Sequence, residues 1–291
     1  MKLIATDMDG TLLNQDGEIS KDNAEALQAA SAHGIDIVIA TGRTYEAAHR
    51  PLASAGLSYP IISMNGAVTY KNRKEIQRSA PITESSCERI LTVHQAAGSY
   101  IELFTSQGIF APSRKAYMSV VVGMLQTAHP ELTTAAAEQY AERRLEDENF
   151  QFADDFFSVL DNEGLEVYKM LAFSSEASVL ERMKYELRDD NELALTSSGM
   201  GNLELNHVRA QKGFALQEFA LGLGISLEDV MALGDNFNDL NMLQMAGRSV
   251  AMGNAVPEVK EASGFSTKTN TEHGVAHAVH EMLHELKTKS S

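Results

Sequence analysis

The chain has 291 residues, of which 24 are basic and 40 acidic, and it carries a formal net charge of −16. Such an acidic protein repels nucleic acid and anionic membranes, and its 44% hydrophobic content excludes a disordered chain. The most apolar stretch, residues 118–125, is too short for a transmembrane helix, which needs about 20 residues. We therefore expect one large or two ordinary globular domains, with neither nucleic acid nor a membrane as partner.

The beginning of the chain alternates between apolar runs and helical patterns. Strands are predicted at 2–6, 35–40 and 60–64, and helices at 20–33 and 43–55. Unbroken apolar runs are typical of parallel strands buried on both faces, and helices of this length are their usual crossovers. This part of the sequence predicts a doubly wound, mostly parallel α/β sheet.

The same alternation returns after a long interval. Helices are predicted at 211–223, 238–246, 257–262 and 271–286, and strands at 230–233 and 249–252. The interval itself predicts strands at 99–104, 108–111 and 165–173, a helix at 176–188, and a hairpin of 192–197 and 202–206 across Ser198–Gly201. We interpret the acid-rich stretch 138–155 as a solvated helix face and loop. This mixture indicates an α+β domain inserted into the α/β domain.

Two aspartates follow the first predicted strand, in Asp7-Met8-Asp9-Gly10-Thr11. Residues i and i+2 of an extended chain point the same way, so both carboxylates can lie at the strand end, where open α/β sheets bind ligands. Acidic residues are also common in turns, so this motif alone leaves a simple turn open.

Two further polar motifs follow predicted strands. Thr41-Gly42-Arg43 precedes a helix and offers a hydroxyl and backbone N–H groups for an anion, although it also suits an ordinary helix cap. Asp235 to Asp239 contains two carboxylates and two carboxamides, which are the oxygen ligands that Mg²⁺ prefers. Lys212, at the opening of a helix, could place an ammonium group beside a phosphate.

In this order and context, the motifs resemble the haloacid dehalogenase-like phosphatase superfamily, in particular its Cof-type sugar-phosphate phosphatases. Asn65-Gly66-Ala67 after the third strand and Thr271 to Ala276 near the end are similar to further signatures of that family. The resemblance extends over the full chain. It implies a Rossmann-like catalytic core of residues 1–82 and 209–291, with residues 83–208 inserted as a C2-type cap domain.

The resemblance also implies a two-step phosphoryl transfer. Asp7 would form an aspartyl phosphate, and Asp9 would act as general acid and then base. Mg²⁺ would be held by Asp7, the Asp9 backbone carbonyl and Asp235, with Asp239 as a direct ligand or as support. The predicted phosphate contacts are the Met8 backbone N–H, Thr41, Gly42, Lys212 and Asn238. Arg43 and Asn65 are further candidates for contact with the substrate.

The leading hypothesis is a Mg²⁺-dependent phosphatase for small phosphorylated metabolites, either sugar phosphates or phosphorylated cofactors. The alternatives are a phosphosugar mutase that uses the same aspartyl phosphate, and a non-enzymatic phospho-acceptor or ligand-sensing module. A single cysteine, Cys87, excludes a disulfide framework within the chain, so we expect a reducing cytoplasm. No sequence pattern indicates an oligomeric state.

Overall fold

The computed structural model describes residues 1–72, 75–197 and 201–289 and separates into two compact units. Unit 1 consists of Met1–Ser79 and Ala210–Ser291, and unit 2 of Ala80–Arg209. Among the described residues, no helix is both long and apolar enough to cross a membrane.

The strands, in chain order, are β1 (Leu3–Thr6), β2 (Asp36–Ala40), β3 (Ile61–Ser63), β4 (Val68–Asn72), β5 (Glu75–Ser79), β6 (Tyr100–Thr105), β7 (Gly108–Ala111), β8 (Phe150–Phe152), β9 (Val167–Phe173), β10 (Leu193–Thr196), β11 (Asn202–His207), β12 (Val230–Gly234), β13 (Arg248–Ala251) and β14 (Phe265–Ser266). The α-helices are α1 (Lys21–Ala32), α2 (Tyr45–Ser54), α3 (Glu84–Ala97), α4 (Arg114–Ala128), α5 (Thr134–Asp147), α6 (Phe156–Leu160), α7 (Ala177–Leu187), α8 (Lys212–Gly222), α9 (Leu240–Met245), α10 (Pro257–Ala262) and α11 (Gly274–Lys289). Short helical turns lie at Met8–Leu12, Met64–Gly66, Leu227–Asp229, Phe237–Asp239 and Asn270–Glu272.

Unit 1 contains an eight-stranded sheet in the order β14-β13-β12-β1-β2-β3-β4-β5. The six strands from β14 to β3 are parallel, and β4 and β5 are added antiparallel. Strand β1 lies in the middle, with Leu3 beside Val230 on one side and Asp36 on the other. The predicted doubly wound, mostly parallel α/β fold is confirmed.

The parallel strands of unit 1 bring distant parts of the sequence to one edge. Helix α1 packs against α11, and α8 packs against α9. Strands β1, β2, β3 and β12 end in the sequence motifs singled out above, and parallel strands end on the same side of a sheet. The motifs from both halves of the chain therefore lie close together within unit 1.

Unit 2 contains a six-stranded sheet in the order β10-β11-β9-β6-β7-β8. Its core includes Ile101, Leu103, Met170 and Leu205, and the helices α3 and α7 pack against each other. Lys169 and Glu204 form a buried ion pair with 3.1 Å between Nζ and Oε1.

Several sequence predictions differ from the structure. The segment 138–155 is not simply solvated: it ends α5, adds strand β8, and carries Arg144, whose guanidinium lies 2.9 Å from the fully buried carboxylate of Glu102. Helix α4 and the antiparallel pair of β4 and β5 were not predicted. In the predicted hairpin, β10 and β11 pair antiparallel as expected, but Ser198 to Met200 of its turn lie outside the described residues.

Candidate active site

Asp7 follows β1 directly and is the deepest carboxylate among the predicted catalytic residues. Its backbone N–H donates to the Leu233 carbonyl at 3.0 Å, which continues the pairing of β1 with β12. The residue is 4% exposed. Extended backbone at Asp7 then gives way to the turn Met8–Leu12, which is broken at Asp9 and at Gly10, where φ is +78°.

Gly10 is required in this turn for two reasons. A positive φ strains any residue with a side chain, and a Cβ at this position would lie 2.4 Å from Oδ2 of Asp235. The absence of a side chain therefore lets the loop after β1 approach the loop after β12.

Lys212 joins the two loops through a buried ammonium group. It is the first residue of α8 and 0% exposed, and its Nζ lies 2.5 Å from Oδ1 of Asp7 and 2.7 Å from Oδ1 of Asp239. Burial by itself would lower the pKa of Lys212, but the carboxylates of Asp239 and Asp7 raise it above its ordinary value. Lys212 therefore stays charged and holds both carboxylates.

Asp239 has both carboxylate oxygens engaged by the protein. Its Oδ1 receives the Lys212 ammonium, and its Oδ2 accepts from the backbone N–H groups of Asp235 and Asn236, at 2.9 and 3.1 Å. Asp239 is fully buried. Of the two roles considered for Asp239, this arrangement favours support of the site over direct metal binding.

The carboxylates of Asp7, Asp235 and Asp239 form a cluster suited to a hard cation. One oxygen from each lies within 4.8 Å of the others. Burial, followed by repulsion from Asp239, raises the pKa of Asp7 well above its ordinary value and that of Asp235 to about 6. A divalent cation would offset this repulsion, and carboxylate oxygens are ligands that Mg²⁺ accepts, so the residues present fit the implied metal.

Asp9, the predicted general acid and base, pairs with Arg43. The guanidinium donates through Nε to Oδ2 at 2.8 Å and through Nη2 to Oδ1 at 2.6 Å. The Asp9 side chain is 58% exposed and that of Arg43 31%. Asp9 is therefore accessible to a ligand, although both of its oxygens are engaged in a two-point ion pair.

The loop after β2 differs from its prediction. Helix α2 begins at Tyr45 with Thr44 as its N-cap, so Thr41 and Gly42 do not lie at a helix N-terminus. The Thr41 hydroxyl instead accepts from the Arg43 backbone N–H at 3.1 Å. Thr41 and Thr44 are both residues that can cap a helix. Thr44 takes this role, because its hydroxyl accepts from the Ala47 N–H, and the helix therefore starts three residues later than it would with Thr41 as its N-cap.

The remaining predicted residues lie around the same edge of the unit 1 sheet. Asn238 is exposed, and its Nδ2 donates to Oδ1 of Asn65 at 3.1 Å. The Met8 side chain is fully buried, which leaves only its backbone available to a ligand. The structure therefore brings residues from all four strand ends together.

Sequence reasoning missed three polar residues that fix the loop after β1. Thr11 donates its hydroxyl to Oδ1 of Asp235 at 3.0 Å, Asn254 donates to the Gly10 carbonyl at 2.8 Å, and Asn270 donates to the carbonyl of Leu13 at 2.8 Å. Two of them could have been found from their positions in the sequence, because Thr11 lies inside the first motif and Asn270 lies just before Thr271.

Known proteins resemble this chain along nearly its whole length. Residues 4–279 match the family model of haloacid dehalogenase-like hydrolases. The chain is 35% identical to Phosphatase YwpJ of Bacillus subtilis, covering 97% of this chain and 100% of that protein. It is 34% identical to the 5-amino-6-(5-phospho-D-ribitylamino)uracil phosphatase YwtE of the same organism, covering 97% and 98%. A solved haloacid dehalogenase-like hydrolase from B. subtilis matches with a TM-score of 0.84 and 34% identity, covering 96% of this chain and 99% of that one.

Proposed function

Because this chain belongs to the haloacid dehalogenase-like hydrolase family and is a phosphatase of phosphoric monoesters, we propose that it works through an aspartyl phosphate on Asp7 with Mg²⁺ as cofactor. One observation carries the proposal. Asp7 lies at a strand end, where its Oδ1 accepts from the buried Lys212 ammonium and its carboxylate lies near that of Asp235. This arrangement combines a nucleophile, a fixed positive charge and cation ligands at one point.

Asp7 attacks phosphorus, and the bond between phosphorus and the ester oxygen breaks. Asp9, as a carboxylic acid, gives its proton to the leaving oxygen. In the second step the Asp9 carboxylate takes a proton from water, the water oxygen attacks phosphorus, and the bond to Asp7 breaks. Free Asp7, inorganic phosphate and protonated Asp9 are then regenerated.

The charges of the site make this attack feasible. When bound by Asp7, Asp235 and the Asp9 backbone carbonyl, Mg²⁺ would supply positive charge that offsets repulsion between a carboxylate and a phosphate dianion. Lys212 fixes the orientation of Asp7 through its 2.5 Å contact. Thr41, Gly42, Asn238 and the Met8 backbone N–H are proposed to bind the phosphoryl oxygens.

The ion pair of Asp9 with Arg43 supports a further proposed role for Arg43. Both carboxylate oxygens of Asp9 accept from the Arg43 guanidinium, so Asp9 has to leave this ion pair before it can contact the leaving oxygen or the attacking water. We propose that the phosphate of the bound substrate competes for Arg43 and releases Asp9. Proton transfer would then be enabled when a phosphorylated ligand is present.

We further propose that unit 2 serves as the cap, that is, the domain that selects the leaving group. Unit 2 has its own sheet and core and is inserted between β5 and α8 of unit 1. The relative YwtE is named for a substrate with a phosphorylated ribityl chain, which supports sugar or polyol phosphates and phosphorylated cofactors as the substrate class.

The test is phosphate release from sugar phosphates, nucleotides, flavin mononucleotide and pyridoxal phosphate, with Mg²⁺ and with a chelator. We expect release with Mg²⁺ only, and a loss of kcat of at least about 10³-fold in Asp7→Asn because the nucleophile is gone. Steady-state hydrolysis that persists in Asp7→Asn would refute the assignment. Interconversion of sugar phosphates without phosphate release would indicate the mutase instead.

A further inference from the structure

The turn after β3 has an unusual backbone. Met64, Asn65 and Gly66 follow one another with φ values of 48°, 56° and 95°. Side chains on L-residues disfavour this left-handed region, and only asparagine, aspartate and glycine visit it regularly. Strain of this kind persists where surrounding contacts impose it and is concentrated at functional sites.

The backbone of this turn is tied to the loop after β2. The Met64 N–H donates to the Arg43 carbonyl and the Asn65 N–H to the Thr41 carbonyl, each at 2.9 Å. The turn is also supported from β5, because the Arg78 guanidinium donates to the Gly66 carbonyl. These contacts fix the position of the Asn65 Cα.

The side chain of Asn65 then reaches two residues of the proposed phosphate site. Asn65 is 8% exposed, and its Oδ1 accepts from Nδ2 of Asn238 at 3.1 Å. The same Oδ1 would lie 3.1 Å from a Cβ placed on Gly42, so the lack of a side chain at residue 42 makes room for it. Asn65 therefore links the loops after β2, β3 and β12.

We propose that Asn65 is a positioning residue, which orients the carboxamide of Asn238 toward phosphate, and that it does not contact the substrate itself. A carboxamide nitrogen carries two hydrogens. Asn65 takes one of them, which leaves the other for a phosphoryl oxygen and prevents the group from rotating its own oxygen toward the anion. This inference rests on the proposed function, since it assumes that Asn238 binds phosphate.

The test is a double-mutant cycle with Asn65→Gly, Asn238→Ala and the double variant. Glycine keeps the left-handed backbone and removes only the carboxamide. The readouts are the Kd of inorganic phosphate by calorimetry in the presence of Mg²⁺, and the kcat and KM for p-nitrophenyl phosphate. His273→Gly is the matched control, because His273 also has a positive φ of 59° and lies outside the proposed site.

We expect each single variant to raise the Kd of phosphate about tenfold, the loss of one charge-assisted hydrogen bond, with KM rising more than kcat falls. The double variant should be no weaker than Asn238→Ala, because Asn65 acts only through Asn238. His273→Gly should bind phosphate normally.

Additive losses in the double variant would overturn the proposal and indicate that Asn65 contacts phosphate directly. An unchanged Kd in Asn238→Ala, an exposed position where folding is not at risk, would also overturn it. If the unmodified protein binds phosphate but hydrolyses no ester, the proposed function fails, while the cycle of phosphate Kd values still decides the role of Asn65.

Discussion

Lys212 carries a positive charge into a part of unit 1 that water does not reach. Its ammonium contacts the carboxylates of Asp7 and Asp239. Among the described residues, neither carboxylate forms an ion pair with another cationic side chain. Removing one partner of a buried ion pair leaves the remaining charges uncompensated. The residue that orients Asp7 in the proposed reaction thus also stabilises the folded protein.

Lys212→Met should therefore lower both activity and stability. The variant keeps the length of the side chain but removes its charge, and we expect the free energy of unfolding in urea to fall by about 3–5 kcal/mol. Lys21→Met is the control, since the Lys21 side chain is 85% exposed and pairs with Glu25 at 3.6 Å, and it should change stability by less than about 0.5 kcal/mol. Equal stability of the two variants would contradict the structural role of Lys212.

Asp9→Asn should separate the two steps of the reaction. A p-nitrophenolate leaving group needs no proton, so Asp7 should still be phosphorylated, whereas hydrolysis of the aspartyl phosphate lacks its base and should slow by about 10²–10⁴-fold. Rapid-mixing experiments should show a burst of about one equivalent of p-nitrophenolate followed by slow turnover. A variant with normal steady-state turnover would exclude Asp9 as the base.

For single residues, the motifs and the strands before them were enough to predict which side chains the structure brings together, such as those of Asp7, Lys212 and Asp235. Their partners could not be predicted. The contact of Arg43 with Asp9, and that of Asn65 with Asn238, depend on where each side chain points in the folded loops. Sequence spacing does not determine the direction of a side chain, which is why Arg43 and Asn65 were expected to contact the substrate.

Helix α8 must lie very close to α9 for Lys212 to reach the site. Gly213 makes this approach possible, because a Cβ there would lie 2.0 Å from Oδ1 of Asn241 and 2.7 Å from its backbone oxygen. The backbone oxygen cannot move aside as a flexible side chain would. The position of the lysine therefore depends on the size of the next residue.

Gly213→Ala should push the start of α8 away from α9. We expect a loss of about 1–3 kcal/mol in the free energy of unfolding, together with a higher KM for p-nitrophenyl phosphate. Gly123→Ala in α4 provides the control, because a Cβ there meets nothing within 4 Å and alanine should stabilise that helix by up to about 1 kcal/mol. A Gly213→Ala protein as stable and active as the unmodified one would refute the packing argument.

Among the elements, the buried parallel strands were predictable because continuous apolar runs leave few alternatives. The antiparallel β4 and β5 were missed because their exposed residues give no apolar alternation: Lys71 and Asn72 of β4 are exposed, as are Glu75, Ile76 and Gln77 of β5. The acid-rich segment 138–155 was interpreted as solvated because its composition is polar, yet part of it packs inside unit 2. There the partly buried Arg144 pairs with the fully buried carboxylate of Glu102, and composition does not reveal which charges of a polar stretch form such pairs.

Across the whole molecule, a net charge of −16 must coexist with a site for an anionic substrate. The carboxylate cluster of unit 1 concentrates part of that negative charge where the reaction is proposed to occur. A bound divalent cation would offset this negative charge and stabilise the fold by the same interaction, because it binds only the folded arrangement of the carboxylates.

Mg²⁺ should therefore raise the unfolding temperature, and a chelator should lower it. At a free Mg²⁺ concentration of 100 times Kd, the expected stabilisation is about 2.7 kcal/mol. Asp235→Asn should remove most of this response, whereas Asp36→Asn, at an exposed position at the start of β2, should retain it. A response of Asp235→Asn equal to that of the unmodified protein would place the cation elsewhere.

The central place of β1 in the unit 1 sheet has a consequence for the order of synthesis. Its neighbour β12 begins at Val230, beside Leu3, so one edge of β1 lacks its partner until that residue has been made. At about 5–20 residues per second, the delay is roughly 10–45 s. Asp7 exists without Asp235 throughout that time and without Lys212 for most of it. The proposed site is therefore complete only after the last third of the chain, which holds Lys212, Asp235 and Asp239, has been made.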